Sequence, residues 1–316
     1  MTGRGGPSSL DELKSGGKAA LARALGVLER GPDAAATVAL LDAAFAAPRA
    51  QVLGVTGPPG VGKSTLLGRL IRRFREAGQT VGVIAVDPTS RRSGGALLGD
   101  RVRLLTEAGD QGVFVRSMAA RDRLGGLADM TVAAMVLMRA VHDRVLIETV
   151  GVGQSETDVA GAADTVVFCV QPASGDSLQF MKAGLVEIPH VAVVTKADMG
   201  ASATRALADL KGALSLAADA GPQAWPIATL AVSATEGQGM EELMDTLARR
   251  AAWLAADGRL GRQRQAQAEL WLREALRERF GREGLRRAQA DGHDLALTGG
   301  ASPFSRLAAL TGALSG

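Results

Sequence analysis

Apolar positions along the chain follow two different rhythms. Between residues 9 and 48, Leu10, Leu13, Leu21, Leu25 and Leu28 recur at helical spacing, and the stripe stops at Gly31-Pro32. A second Ala/Leu-rich helix runs to about Ala47, before Pro48. From residue 51, short apolar runs alternate with longer amphipathic segments. Strands are expected at about 51–56, 80–86, 113–116, 144–149, 165–170, 191–195 and 228–232, with helices between them. That alternation predicts an α/β fold, a mainly parallel sheet with helices on both faces. Beyond residue 239 only helix is expected. Gly258 and Gly261 bracket a linker, and 262–290 reads as a long charged helix carrying Leu270, Leu272, Leu276, Phe280 and Leu285. A Gly-rich break at 299–300 precedes a short last helix. The chain thus divides into an N-terminal helical extension (1–48), a central α/β domain (49–257) and a C-terminal helical arm (258–316).

The first chemistry appears where the first strand meets its helix. Gly57-Pro58-Pro59-Gly60-Val61-Gly62-Lys63-Ser64 matches the phosphate-loop pattern, follows the apolar strand QVLGVT and opens the helix STLLGRLIRRFREAG. Glycines let backbone N–H groups turn inward around phosphate oxygens, and the helix N-terminus adds a positive dipole end. Lys63 can reach the β- and γ-phosphates and the Ser64 hydroxyl can ligate Mg²⁺. With Thr65, these residues are the expected nucleotide-binding positions. The rival reading, an ordinary Gly/Pro turn, fails on strand–loop–helix context and spacing together.

Carboxylates follow at the ends of later strands. Asp87 closes TVGVIAV at the edge where ligands bind in open α/β sheets. Asp100 opens a helix after an Arg/Gly-rich loop, a position where capping alone would also explain an Asp. Glu148 ends RVLIE, and Glu148-Thr149-Val150-Gly151 sits where a nucleotide hydrolase places a metal-side carboxylate and a γ-phosphate-sensing glycine. Val152 stands where a water-orienting Gln often follows that glycine, which implies weak intrinsic hydrolysis. Gln154, Asp100, Gln179 and Lys182 are candidates to place the water.

Base choice is written further on. The run Thr195-Lys196-Ala197-Asp198 follows the strand VAVV, and a carboxylate at Asp198 can accept both the N1–H and the N2–H of guanine. Adenine lacks that amine and presents an acceptor at N1. The Lys196 stem can lie over the base, and Ser233-Ala234 is the matching backbone contact to guanine O6. The expected ligands are therefore GTP or GDP with Mg²⁺.

Composition removes other classes. Aromatic residues are 3% of the 316, Tyr is absent and the net charge is only +3, so a base-stacking nucleic-acid surface is not expected. No apolar run is long enough for a membrane span, and MTGRGGPSSLDELKSGG has no signal-peptide core. The single cysteine, Cys169, suits a reducing, cytoplasmic setting and reads as core.

Long ordered stretches are more specific than any of these. DPTSRRSGGALLGDRVRLL (87–105), VFVRSMAARDRLGGLADMT (113–131), ETVGVGQSETDVA (148–160) and GDSLQFMKAGLVEI (175–188) resemble the MeaB/ArgK-type GTPases, relatives of the human methylmalonic aciduria type A protein. That family has a Rossmann-like P-loop fold. The resemblance implies Asp87, Asp100 and Glu148 on the Mg²⁺ side, and Gln179 and Lys182 in an extra switch that communicates with a partner. It implies a chaperone for an adenosylcobalamin-dependent acyl-CoA mutase, and a homodimer formed through the C-terminal arm. Thr195 departs from the family's usual Asn. Two rival readings are a nickel-type metallochaperone GTPase and a small-molecule kinase or ATPase. The first lacks ligand spacing among Cys169, His142, His190 and His293, and the second conflicts with Thr195–Asp198.

Overall fold

The computed structural model describes residues 5–87, 109–119, 129–149, 158–172, 189–216, 224–290 and 295–315. In chain order its elements are α1 (Leu10–Ser15), α2 (Gly17–Arg30), α3 (Ala35–Ala46), β1 (Gln51–Thr56), α4 (Lys63–Glu76), β2 (Val81–Asp87), β3 (Val113–Ala119), α5 (Asp129–Val141), β4 (Arg144–Glu148), β5 (Thr165–Val170), β6 (Val191–Val194), α6 (Ala201–Leu216), β7 (Ala228–Ala231), α7 (Met240–Ala255), α8 (Arg259–Ala290) and α9 (Pro303–Ser315). Two compact units result: residues 51–127 with 144–260, and residues 1–50 with 128–143 and 261–316. The middle helix α5 therefore groups with the two chain ends.

The first unit holds the sheet. Its order is β3-β2-β4-β1-β5-β6-β7, and every described pairing is parallel. β1 lies between β4 and β5, so successive crossovers leave it in opposite directions, which opens a crevice at its carboxyl end. Strand side chains alternate between faces. Val167 and Cys169 of β5 pack with Leu66, Leu67, Leu70 and Phe74 of α4, while Phe168 and Val170 pack with Ala203, Leu210 and Leu214 of α6. Both faces are covered, which is why the strands read as nearly unbroken apolar runs. Each fully buried Leu or Val contributes about 1.5–3 kcal/mol to holding α4 on the sheet.

The second unit is helical. Phe304 of α9 packs edge-on to Phe45 of α3 and lies 4.9 Å from the Trp271 ring of α8. Trp271, Leu272, Ala275 and Leu276 form the buried stripe of α8, whereas Leu270 is 53% exposed.

Three expectations needed correction. The leucine stripe at residues 10–28 is two helices, because Gly17 takes φ 57° and turns the chain between α1 and α2. A repeat of apolar positions cannot register a break that keeps Leu13, Leu21, Leu25 and Leu28 all buried. The linker near 258 is a single 3₁₀ turn, 256–258, with Asp257 at φ 54°, and α8 starts at once. α8 itself is interrupted at Gly281, φ 68°, where the charge pattern gave no sign of a stop. In addition, β3 runs to Ala119 rather than 116, pairing in register with β2 as far as Asp87. As the end strand of the sheet it tolerates the polar Arg116 and Ser117 that hid its length.

Candidate nucleotide site

β1 ends at Thr56 and the chain turns sharply through Gly57. Gly57 has φ 135°, and a Cβ there would stand 2.2 Å from the Cys169 carbonyl oxygen, so no larger residue fits. Gly62, at φ 100°, then starts α4 with no side-chain cap on its first turn. Those uncapped N–H groups form an anion-binding end.

Lys63 is 5% exposed. Its Nζ donates to the Gly57 carbonyl at 2.6 Å and the Pro58 carbonyl at 2.9 Å, so the ammonium is curled inside its own loop. Next to it, the Ser64 hydroxyl donates to Glu148 Oε1 at 2.6 Å. Glu148 closes β4 and is fully buried. The Thr56 and Thr149 hydroxyls meet at 2.8 Å, tying the ends of these two strands together. The Cys169 thiol is pushed up to about 12, chiefly by burial, with Lys63 opposing and Glu148 adding to the rise. It stays a thiol and packs under the loop.

A second group lies at the ends of β6 and β7. The Thr195 hydroxyl is within donating distance of the Val61 carbonyl, 2.6 Å, and the Val170 carbonyl, 2.9 Å. The residue that departs from Asn thus hooks the base motif onto the phosphate loop. Lys196 takes φ 55° and its Nζ donates to Gln171 Oε1 at 2.6 Å and to the Gly60 carbonyl at 3.3 Å. The Ala197 N–H reaches the Val232 carbonyl at 3.2 Å, bringing Asp198 beside the loop Ser233–Gln238. Asp198 itself is exposed. In that loop Ser233 is the hub. Its N–H donates to the Gln238 carbonyl, its carbonyl accepts from Gly237, and its hydroxyl accepts from the Glu236 N–H.

The fold therefore brings Gly57 to Thr65, Glu148, Thr195 to Asp198 and Ser233-Ala234 to one edge of the sheet. Asp87 ends β2 two residues beyond the partner of Glu148, on that same edge, and its side chain is not among those described. Asp100, Gly151, Gln179 and Lys182 lie outside the described residues. Two contacts escaped the sequence reading. Gln171 is held by no motif. Arg69, on α4, donates from Nε to the Ala234 carbonyl at 2.7 Å and from an Nη to the Thr235 carbonyl at 3.3 Å. Only its place one turn past Lys63-Ser64-Thr65 could have drawn attention to it.

Comparison with known proteins settles the family. The model for "Methylmalonyl Co-A mutase-associated GTPase MeaB" matches residues 21–288. The chain belongs to the MeaB family of GTPases. A putative GTPase of Pyrococcus abyssi is 42% identical over 82% of this chain and 80% of its own length. The GTPase ArgK of Escherichia coli is 36% identical over 85% of this chain and 83% of its own. The mouse methylmalonic aciduria type A homolog, mitochondrial, is 37% identical over 72% of this chain and 55% of its own. Among solved structures, a LAO/AO transport system kinase matches with TM-score 0.67 and 28% identity, covering 97% of this chain and 96% of that one. This MeaB-family protein is accordingly a GTPase with a guanine-nucleotide site, built on a P-loop fold. Among its described residues no helix is long and apolar enough to cross a membrane.

Proposed function

We propose that this GTPase works as a magnesium-dependent chaperone of an adenosylcobalamin-dependent acyl-CoA mutase, with its nucleotide held between the phosphate loop and the Thr195–Asp198 motif. The observation that carries the site assignment is the Thr195 hydroxyl on the Val61 carbonyl, 2.6 Å, which joins base-reading and phosphate-binding segments into one edge. The client rests on the family description matched over residues 21–288.

In this reading Lys63 leaves the Gly57 and Pro58 carbonyls and offsets charge on the β- and γ-phosphates. The N-terminal amides of α4 take further phosphate oxygens. The donor set suits Mg²⁺. Ser64 Oγ and Glu148 Oε1 are oxygens 2.6 Å apart, Glu148 buried and Ser64 half-buried. Hard oxygen donors of this kind are what that ion takes. Ser64 would hold it, with Glu148, Asp87 and Asp100 on the metal side. When bound, it would supply neutralisation of the phosphate charge. Asp198 accepts from guanine N1–H and N2–H, Lys196 covers the base and Ala234 donates to O6.

Hydrolysis transfers the γ-phosphoryl group to water, and this chain contributes positioning and charge rather than a covalent intermediate. Val152 leaves the water to Gln154, Asp100, Gln179 or Lys182, or to a partner, so the basal rate is low. Gly151 senses the γ-phosphate, and Gln179 and Lys182 pass its state to the mutase. The arm 258–316 pairs two copies, the boundary at 48/49 opens the GTPase domain, and the protein acts in the cytoplasm.

The test is GTP turnover by the purified protein, alone and with each of a panel of such mutases. A slow basal rate raised by one mutase supports the reading and names the client. A rate unmoved by all of them discards the client.

A further inference from the structure

Guanine O6 can be read only if backbone N–H groups of the loop Ser233–Gln238 are held in a fixed direction. Loops with small residues do not hold such directions unaided. Here most of the internal bonds are spent on Ser233. The Ser233 hydroxyl also meets Thr235 Oγ1 at 3.0 Å, while the Ala234 and Thr235 N–H groups take no partner among the described residues. Those two are the groups able to donate to a base.

The loop's own Gly237–Ser233 bond fixes the first of them, and the bracing beyond it comes from a different element. Arg69 reaches across from the phosphate-loop helix, with its Nε 2.7 Å from the Ala234 carbonyl and an Nη 3.3 Å from the Thr235 carbonyl. In a planar trans peptide the carbonyl of one residue and the N–H of the next point opposite ways. Holding the Ala234 carbonyl therefore also directs the Thr235 N–H. The Ala234 N–H lies in the preceding peptide, whose Ser233 carbonyl Gly237 already holds, so one rigid guanidinium on the next two carbonyls braces the backbone on its other side. Gly237, φ 80°, lies beside the same guanidinium, where a Cβ would be in ordinary contact at 3.5 Å. The anchor is also one turn past Thr65 on α4, so the O6-reading loop is referenced to the phosphate-binding helix itself.

We propose that Arg69 is a positioning residue for guanine O6 recognition, holding the Ser233–Gln238 loop in its reading geometry from the phosphate-loop helix. This rests on the guanine-site reading above. Arg69 does not touch the nucleotide. Its effect falls on one atom of the base, which separates it from a general structural role.

Three triphosphates give the test. Inosine triphosphate lacks the N2 amine that Asp198 reads. 6-Thioguanosine triphosphate keeps N1–H and N2 and replaces only O6 by the weaker acceptor sulfur. Dissociation constants are measured by competition against a fluorescent guanine nucleotide for the wild type, Arg69→Met, Arg69→Lys and Asp198→Asn. In Arg69→Met the preference for GTP over the 6-thio analogue falls about fivefold, the worth of one ordinary hydrogen bond. Its preference for GTP over inosine triphosphate stays within about twofold. Arg69→Lys, which keeps the charge but not the fork, lies between. If both preferences fall together in Arg69→Met and Arg69→Lys, or the 6-thio preference holds in both, the proposal is overturned while the guanine site stands. If Asp198→Asn leaves the preference over inosine triphosphate untouched, the guanine-site reading fails first and takes Arg69 with it.

Discussion

At the phosphate end of the site the key cation is held by the loop it serves, whereas at the base end the key groups are held by segments far away in sequence. Lys63 donates to Gly57 and Pro58, six and five residues before it. Thr195 is tied to Val61 across 134 residues and Arg69 to Ala234 across 165. On the proposed reading the phosphate end rearranges to bind, exchanging carbonyl partners for phosphate oxygens. The base end is assembled by folding itself, so it can discriminate without moving. Affinity should therefore depend on the local loop, and specificity on long-range ties.

The largest expected effect breaks the local half. Lys63→Ala should lower GTP affinity on the order of a thousandfold, since a buried charge-assisted contact is lost, with thermal stability nearly unchanged. Equilibrium titration with GTP checks it, and normal affinity would remove Lys63 from the site. Asp198→Asn comes next. GTP affinity should drop about a hundredfold, and xanthosine triphosphate, whose O2 can accept from the new amide, should gain on it. An unchanged guanine preference would end the base-reading role.

Thr195→Val keeps the shape and deletes the hydroxyl, leaving the Val61 and Val170 carbonyls without that donor. It should weaken GTP by about tenfold, with Thr195→Ser close to wild type. If Thr195→Val binds normally, the two halves are not joined through this residue.

The smallest effect concerns the scaffold at the opposite edge. His190, just before β6, accepts the Val166 N–H at Nδ1, 3.0 Å, and its carbonyl accepts from Trp225. Its pKa is lowered to about 3, by burial first and then by the nearby Arg250 charge. The folded ring thus takes a proton only near pH 3, while the unfolded ring does so near 6.5. Stability from this group is complete above about pH 6.5 and is lost as pH falls towards 3. Relative to His190→Asn, the wild type should lose about 1 kcal/mol at most between about pH 7 and 5.5, read by denaturant unfolding. Equal pH profiles would show that the ring is not held in its neutral form.

Much of this was readable in the chain. The strand–helix alternation predicted the parallel sheet because both faces are covered and the strands, β3 excepted, are nearly unbroken apolar runs. The phosphate loop was readable because its chemistry is contiguous and each glycine answers a local demand, as Gly57 does under Cys169. The strand order was not, since nothing in the apolar runs encodes that β4 lies beside β1. Thr195 reads only as a departure from the family's usual Asn because its partner, the Val61 carbonyl, belongs to the other end of the site. Arg69 belongs to no motif, and only the fold shows which carbonyls it holds.

A crystal structure of the protein with Mg²⁺ and a non-hydrolysable GTP analogue tests the central claim most directly. The account predicts Lys63 Nζ withdrawn from the Gly57 and Pro58 carbonyls onto the β- and γ-phosphates, the Ser64–Glu148 hydrogen bond opened around the metal, and Thr195 still on the Val61 carbonyl. A nucleotide bound with Lys63 still curled into its loop, or with the Thr195 tie broken, would contradict it.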